Sequence, residues 1–225
     1  MTASVTKLPA PARAAYEAGA PSPYHAPPPA SKPADAEIAE RGERLRSYAR
    51  HLAQNSSIAR AVIDSRVSAG IGAGLQYEPL VRDRKGKLLE RLNDLIRREI
   101  VDGWGRRADT SGEYSRAELE RVAWKSRDVD GEVFARRVFR GRTQRRIGYQ
   151  VQLLESDLVP YGLLYKDRIY YGVERDDWGE PQRYHIVPTR FAQPFYGLLS
   201  TDAEPRSIPA RDMWHLRRQD RPGQT

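Results

Sequence analysis

The stretch from Ser115 to Asp157, SRAELERVAWKSRDVDGEVFARRVFRGRTQRRIGYQVQLLESD, leaves its backbone few choices. Ser115 and Glu118 have the spacing of a capping box, in which each side chain satisfies an orphan backbone N–H at a helix start. Leu119, Val122, Ala123, Ser126 and Val129 then recur at helical spacing and predict one apolar face. Asp130-Gly131 stops that helix, because glycine takes the left-handed conformation that a C-terminal cap requires. Val133, Phe134, Val138 and Phe139 read as a strand, and Tyr149 to Leu154 as a second one. Between them seven residues hold four arginines. The stretch therefore predicts a capped helix that delivers a hairpin with a cationic tip.

A chain of 225 residues makes one domain or two small ones, since domains most often run to about 100–150 residues. Its net charge of +8 and pI near 9.8 point to a polyanionic partner, with nucleic acid ahead of acidic protein or a membrane surface. Arginine-rich coding accounts for the same charge without any such partner. No cysteine is present, which excludes disulfides and thiolate metal sites. No apolar run approaches the ~20 residues of a membrane span, and no apolar signal core opens the chain. A cytoplasmic site of synthesis is the expectation.

Residues 1 to 34 are rich in Ala and Pro and are expected to form a disordered or polyproline-like tail, with Tyr16 and Tyr24 as its candidates for docking. Asp35 is the expected cap of a helix reaching Asn55, with Ile38, Leu45, Tyr48, Ala49 and Leu52 on its apolar face. A second helix is expected up to Ala69, with Ile58, Ala61, Val62 and Ser65 on one side. Gly70-Ile71-Gly72-Ala73-Gly74 follows a helix and leads into an extended run, so it reads as a terminating turn and not as a phosphate loop. Arg82 to Lys87 is a charged turn, and Leu88, Leu92, Leu95, Ile96 and Ile100 predict a further amphipathic helix ending near Gly103-Trp104-Gly105. Beyond Asp157 the pattern turns to strands at Arg168 to Val173, Arg183 to Val187 and Met213 to Leu216. Phe191, Phe195 and Tyr196 are expected over a small core. The fold class is α+β, helices plus antiparallel hairpins.

Catalytic chemistry finds little support. His25, His51, His185 and His215 share no metal-ligand spacing. Asp128, Asp130 and Glu132 alternate around Gly131 but lack the remainder of a calcium loop, so they read as a helix end and turn. There is no nucleophile elbow and no phosphate-loop lysine. No enzyme, cofactor or metal is expected. The candidate functional residues are Arg136, Arg137, Arg140, Arg142, Arg145 and Arg146, six arginines within eleven residues with no acid among them. They form either a solvated hairpin face, or a contact with DNA phosphates, or a contact with acidic groups of a neighbouring subunit. With few aromatics among them, backbone contact without sequence preference fits better than base stacking.

Five segments in order carry a resemblance. They are Asn55 to Pro79, Ser115 to Phe139 with its core Asp130-Gly131-Glu132-Val133-Phe134, Val151 to Asp157, Tyr171 to Ile186, and Ile208 to Gln224. Together they resemble the portal proteins of lambda-type tailed bacteriophages across most of the chain after residue 35. The resemblance implies a structural subunit of a ring, usually of twelve copies, at one capsid vertex, where double-stranded DNA is packaged and ejected. It implies as partners the terminase large subunit, capsid proteins and tail-connector proteins, with no membrane. The implied location is the virion, with the host cytoplasm during assembly. Proteins of this kind are about twice this long, so the chain is expected to be a truncated portion. Residues 1–34 would be the tail, 35–130 the mainly helical part of the outer wing and 131–225 its β-rich part, ending before most of the stem, clip and crown. The alternatives are a stand-alone basic DNA-binding or nuclease-associated protein and an inactive prophage remnant.

Overall fold

The computed structural model describes residues 32–139, 147–159, 168–187 and 205–221. Two helices come first, α1 (Ala34–Asn55) and α2 (Ser57–Gly70), separated by the single residue Ser56, whose hydroxyl caps α2 through the Ala59 N–H. Helix α3 (Glu90–Ile96) runs on into a π-helical turn, Arg97–Gly103, and a 3-10 turn, Trp104–Arg107. Helix α4 (Arg116–Asp130) follows, then strands β1 (Glu132–Phe139), β2 (Tyr149–Leu154), β3 (Ile169–Tyr170), β4 (Val173–Arg175), β5 (Pro181–Ile186), β6 (Arg206–Pro209) and β7 (Met213–Arg217). The architecture is α+β with antiparallel sheets, as the sequence predicts.

Local signals around α4 are realised in full. The Ser115 hydroxyl accepts from the Glu118 N–H, and the Glu118 carboxylate accepts from the Ser115 N–H at 2.7 Å. Gly131 closes the helix in the left-handed region at φ 86°, and β1 starts at the next residue. One three-stranded sheet has the order β2-β1-β7, and a four-stranded sheet has the order β3-β4-β5-β6. Phe134, Leu154 and Met213 of the first sheet meet Val173, Tyr184, Ile186 and Ile208 of the second in a single buried cluster with Val159. Phe134 lies edge-on to Tyr184 at 5.8 Å and stacks on His215 at 4.3 Å. This inter-sheet layer is the core.

Four expectations need correction. The run expected as one strand from Arg168 to Val173 is a hairpin, β3 and β4, whose turn residues Tyr171 and Gly172 both have positive φ. That geometry matches the twist of a two-residue hairpin and overrides the β-favouring composition. Asp35 lies in the first turn of α1 and not ahead of it. The expected apolar face of α1 is turned outward at Leu45, Tyr48 and Leu52, with Leu45 64% exposed, and half-buried at Ile38 and Ala49, whereas Arg46 is 5% exposed. In α2, Ile58 and Val62 are likewise exposed and Val67 is buried. Periodicity identifies a stripe but not what it faces, and here, among the described residues, it is the charged edge of α1 that finds partners. The tail 1–31, the arginines 140–146, Phe191, Phe195 and Tyr196, and the final residues 222–225 lie outside the described residues.

Candidate functional site

Of the six candidate arginines, two are described, and strand geometry separates them. Successive residues of a strand point to opposite faces, so Arg136 shares the Phe134 side of β1 and Arg137 shares the Ala135 side. Arg136 stands opposite Gln152 of β2 and Met213 of β7. The Arg137 Nε donates to Asp212 at 2.6 Å, and its guanidinium lies 5.6 Å from the Phe139 ring. Arg137 is thereby held to the 3-10 turn before β7.

The best-built polar cluster lies elsewhere, where α1 meets the end of α4 and the start of β1. Arg46 donates to Asp157 at 2.8 Å and to Glu132 at 2.9 Å. Arg50, one helical turn on, donates twice to Asp130, at 2.7 and 2.8 Å, and once to Asp157. Arg66 of α2 donates to Asp128 at 2.7 Å. The three alternating acids Asp128, Asp130 and Glu132 are therefore each engaged by an arginine from the first two helices. Glu132 also meets His215 Nε2 at 2.7 Å, and its carbonyl accepts from the buried Ser156 hydroxyl at 3.0 Å. The cluster ties the helices to one end of the first sheet, where β1 starts and β2 and β7 finish.

The protonation preferences follow from this packing. Burial pushes the His215 imidazole below its ordinary pKa of 6.5, against the opposing pull of Glu132. Burial alone would raise Asp157, but hydrogen bonds from Arg50 and Arg46 outweigh it and hold the carboxyl below its usual range. The bond to Asp130 leads in raising Arg50 above its already high value. Asp128 is lowered, first by Arg66. At neutral pH Asp128 and Asp157 are therefore charged and His215 is mostly neutral.

A second feature is a groove of about 1000 Å³ on the other face of the first sheet. Ala135, Val151, Leu153, Trp214 and Leu216 form its floor, in register across β2, β1 and β7. Leu119, Ala123 and Trp124 of α4 form one wall, and Ile96, Ile100 and Trp104 another. The Trp104 indole N–H holds that wall to the Tyr149 carbonyl at 2.6 Å. The segment Ile71 to Pro79 forms the rim. Its Gly74, at φ 115°, lies so close to α4 that a Cβ would sit 2.6 Å from Ala117 Cβ. Leu75 N–H and the Tyr77 hydroxyl then donate to Glu120, at 2.8 and 3.2 Å.

The sequence reading missed this clamp, although both halves of its signal are visible: two arginines four apart on α1 and three acids two apart around Gly131. The loop 108–114 carries another residue it passed over. Asp109 is buried and accepts backbone N–H bonds from Ser111, Gly112 and Tyr114, at 2.9 to 3.0 Å, as an anchor beside β2. Among the described residues no helix is long and apolar enough to cross a membrane. Compared with known proteins, the chain matches the family model described as phage portal protein, lambda family, over residues 24–225. No curated protein matches it.

Proposed function

This chain belongs to the lambda family of phage portal proteins, and on that premise we propose that it is a subunit of the ring at the capsid vertex through which double-stranded DNA is packaged and ejected. Its described residues would form the wing of such a subunit, with the helical part facing neighbouring copies. Terminase, capsid and tail-connector proteins are the further partners of this reading. Its site of action would be the virion, reached through assembly in the host cytoplasm.

The observation that carries the reading is the apolar surface of residues 34–130. Leu45, Tyr48, Leu52, Ile58, Val62, Leu75, Tyr77, Leu92, Leu95 and Ile100 are all exposed. An apolar area spread over three helices, the π-helical turn and the segment between α2 and α3 is a mark of an association surface, because a monomer has no gain from leaving it in water. Arg46, Arg50 and Arg66 are engaged by carboxylates of their own chain and hold the subunit together, and Arg137 is tied to Asp212. Arg136, Arg137, Arg140, Arg142, Arg145 and Arg146 stay the candidates for contact with DNA or a neighbouring subunit. Native mass spectrometry and negative-stain imaging of the purified chain test the proposal. Closed multimers are expected, and a monomer at every concentration would overturn it. A salt-dependent gel shift on duplex DNA tests the rival reading: tight binding by a monomer at physiological salt favours a free-standing DNA-binding protein.

A further inference from the structure

We infer that the groove on the outer face of the β2-β1-β7 sheet receives the apolar edge of helix α1 from a second copy of this chain, giving a head-to-tail contact. The inference rests on the ring-subunit reading and specifies which two surfaces of the subunit meet. Three observations carry it.

The first is the chemistry of the groove. Its floor and walls are predominantly aliphatic and aromatic; of its charged residues Arg116 pairs with Glu120 and Arg127 lies over Trp124 at 5.4 Å, while Arg217 keeps a buried Nη1 with no hydrogen-bond partner. A long groove lined so largely by apolar side chains fits an apolar helix face, which anchors through side chains at i, i+3 and i+7.

The second is that the chain itself presents such a face. Leu45, Tyr48 and Leu52 stand at i, i+3 and i+7 on α1 and are 64%, 60% and 54% exposed. The third is that this face cannot fill the groove of its own chain. Arg46 and Arg50 fasten α1 to Asp130, Glu132 and Asp157 by the opposite edge, and no residue of α1 lines the groove. A donor surface and an acceptor surface on different parts of one chain make a heterologous contact, which propagates from copy to copy and closes when its rotation allows.

The absence of cysteine gives a clean test. Full chains carrying Tyr48→Cys and Leu216→Cys singly are purified, mixed and treated with a short bis-maleimide. The mixture is expected to give a covalent dimer, and a chain carrying both substitutions a ladder, while neither single variant cross-links to itself. Self-linking of Tyr48→Cys alone would mean a two-fold contact and overturn the inference. Multimers without cross-linking in the mixture would overturn it and leave the ring reading intact, whereas a monomeric wild-type chain would remove both. The double variant Leu45→Asp/Leu52→Asp, at positions already in water, should keep its circular dichroism and lose the multimer. Multimers unchanged in that variant would also refute the contact.

Discussion

The strand-rich half of this molecule and its helical half solve the burial problem in opposite ways. Residues 132–217 place Phe134, Val173, Tyr184, Ile208 and Met213 between two sheets, each 6% exposed or less. Residues 34–130 bury few of their large side chains, Val67 and Leu119 among them, and leave a long series of Leu, Ile and Tyr in water. What fastens the first helix to the rest is charge, through Arg46 and Arg50. The difference teaches that one half is stabilised from within and the other is shaped for contact. A core contributes about 25 cal/mol for each Å² of apolar surface removed from water, and in the helical half much of that gain is still available to a partner.

This contrast can be broken by mutation, starting with the core. Phe134→Ala removes the ring that touches both Tyr184 and His215 and should cost about 3–5 kcal/mol in chemical denaturation. A loss under about 1 kcal/mol would show that the inter-sheet layer is not the stabilising unit. Next comes the clamp. Arg46→Ala leaves Glu132 and Asp157 facing a buried gap and should cost about 3 kcal/mol, with Arg46→Met costing less because it refills the volume. Equal losses for the two variants would mean that charge and not packing holds α1, and no loss for Arg46→Met would mean the reverse.

A pH titration sharpens the same point at smaller amplitude. The folded-state pKa of His215 lies below its unfolded value of 6.5, so the unfolded chain takes up the proton first. Stability should therefore be full above pH 6.5 and decline as pH falls below it towards the folded value. The groups that set this are the buried surroundings, Glu132, and the guanidiniums of Arg217 and Arg175. The depressed Asp157 adds a further loss in the acid range below its ordinary value of 3.8. His215→Gln should flatten the first decline and leave the second; an unchanged profile would remove His215 from the account. The smallest effect is expected on the helical surface, where Leu52→Asp should change monomer stability by no more than about 0.5 kcal/mol. A core-sized loss there would erase the distinction between the two halves.

Much of the fold was legible because its determinants are local. The Ser115–Glu118 box, the Gly131 stop and the strand that follows it depend on neighbours within a few residues, and all three stand as written. The Tyr171-Gly172 turn was not legible, because a single non-glycine residue at φ 52° is decided by the pairing of Ile169 with Glu174 and Tyr170 with Val173. The candidate site was legible only in fragments. Arg136 and Arg137 look alike in the sequence, but adjacent strand positions send them to different environments, one beside the inter-sheet layer and one to Asp212.

By itself, then, the sequence determined the α+β order, the capped helix and its hairpin, the absence of cysteine chemistry and the succession of segments that marks the portal family. Only the tertiary structure decided which edge of α1 is inside. Helical periodicity describes a helix relative to itself, and an apolar stripe is buried only if some surface is free to cover it. Arg46 found Asp157 across 111 residues and Glu132 across 86, and burying those pairs turned Leu45, Tyr48 and Leu52 to the outside. That choice depends on desolvation and charge pairing between distant segments, which no window of the sequence contains.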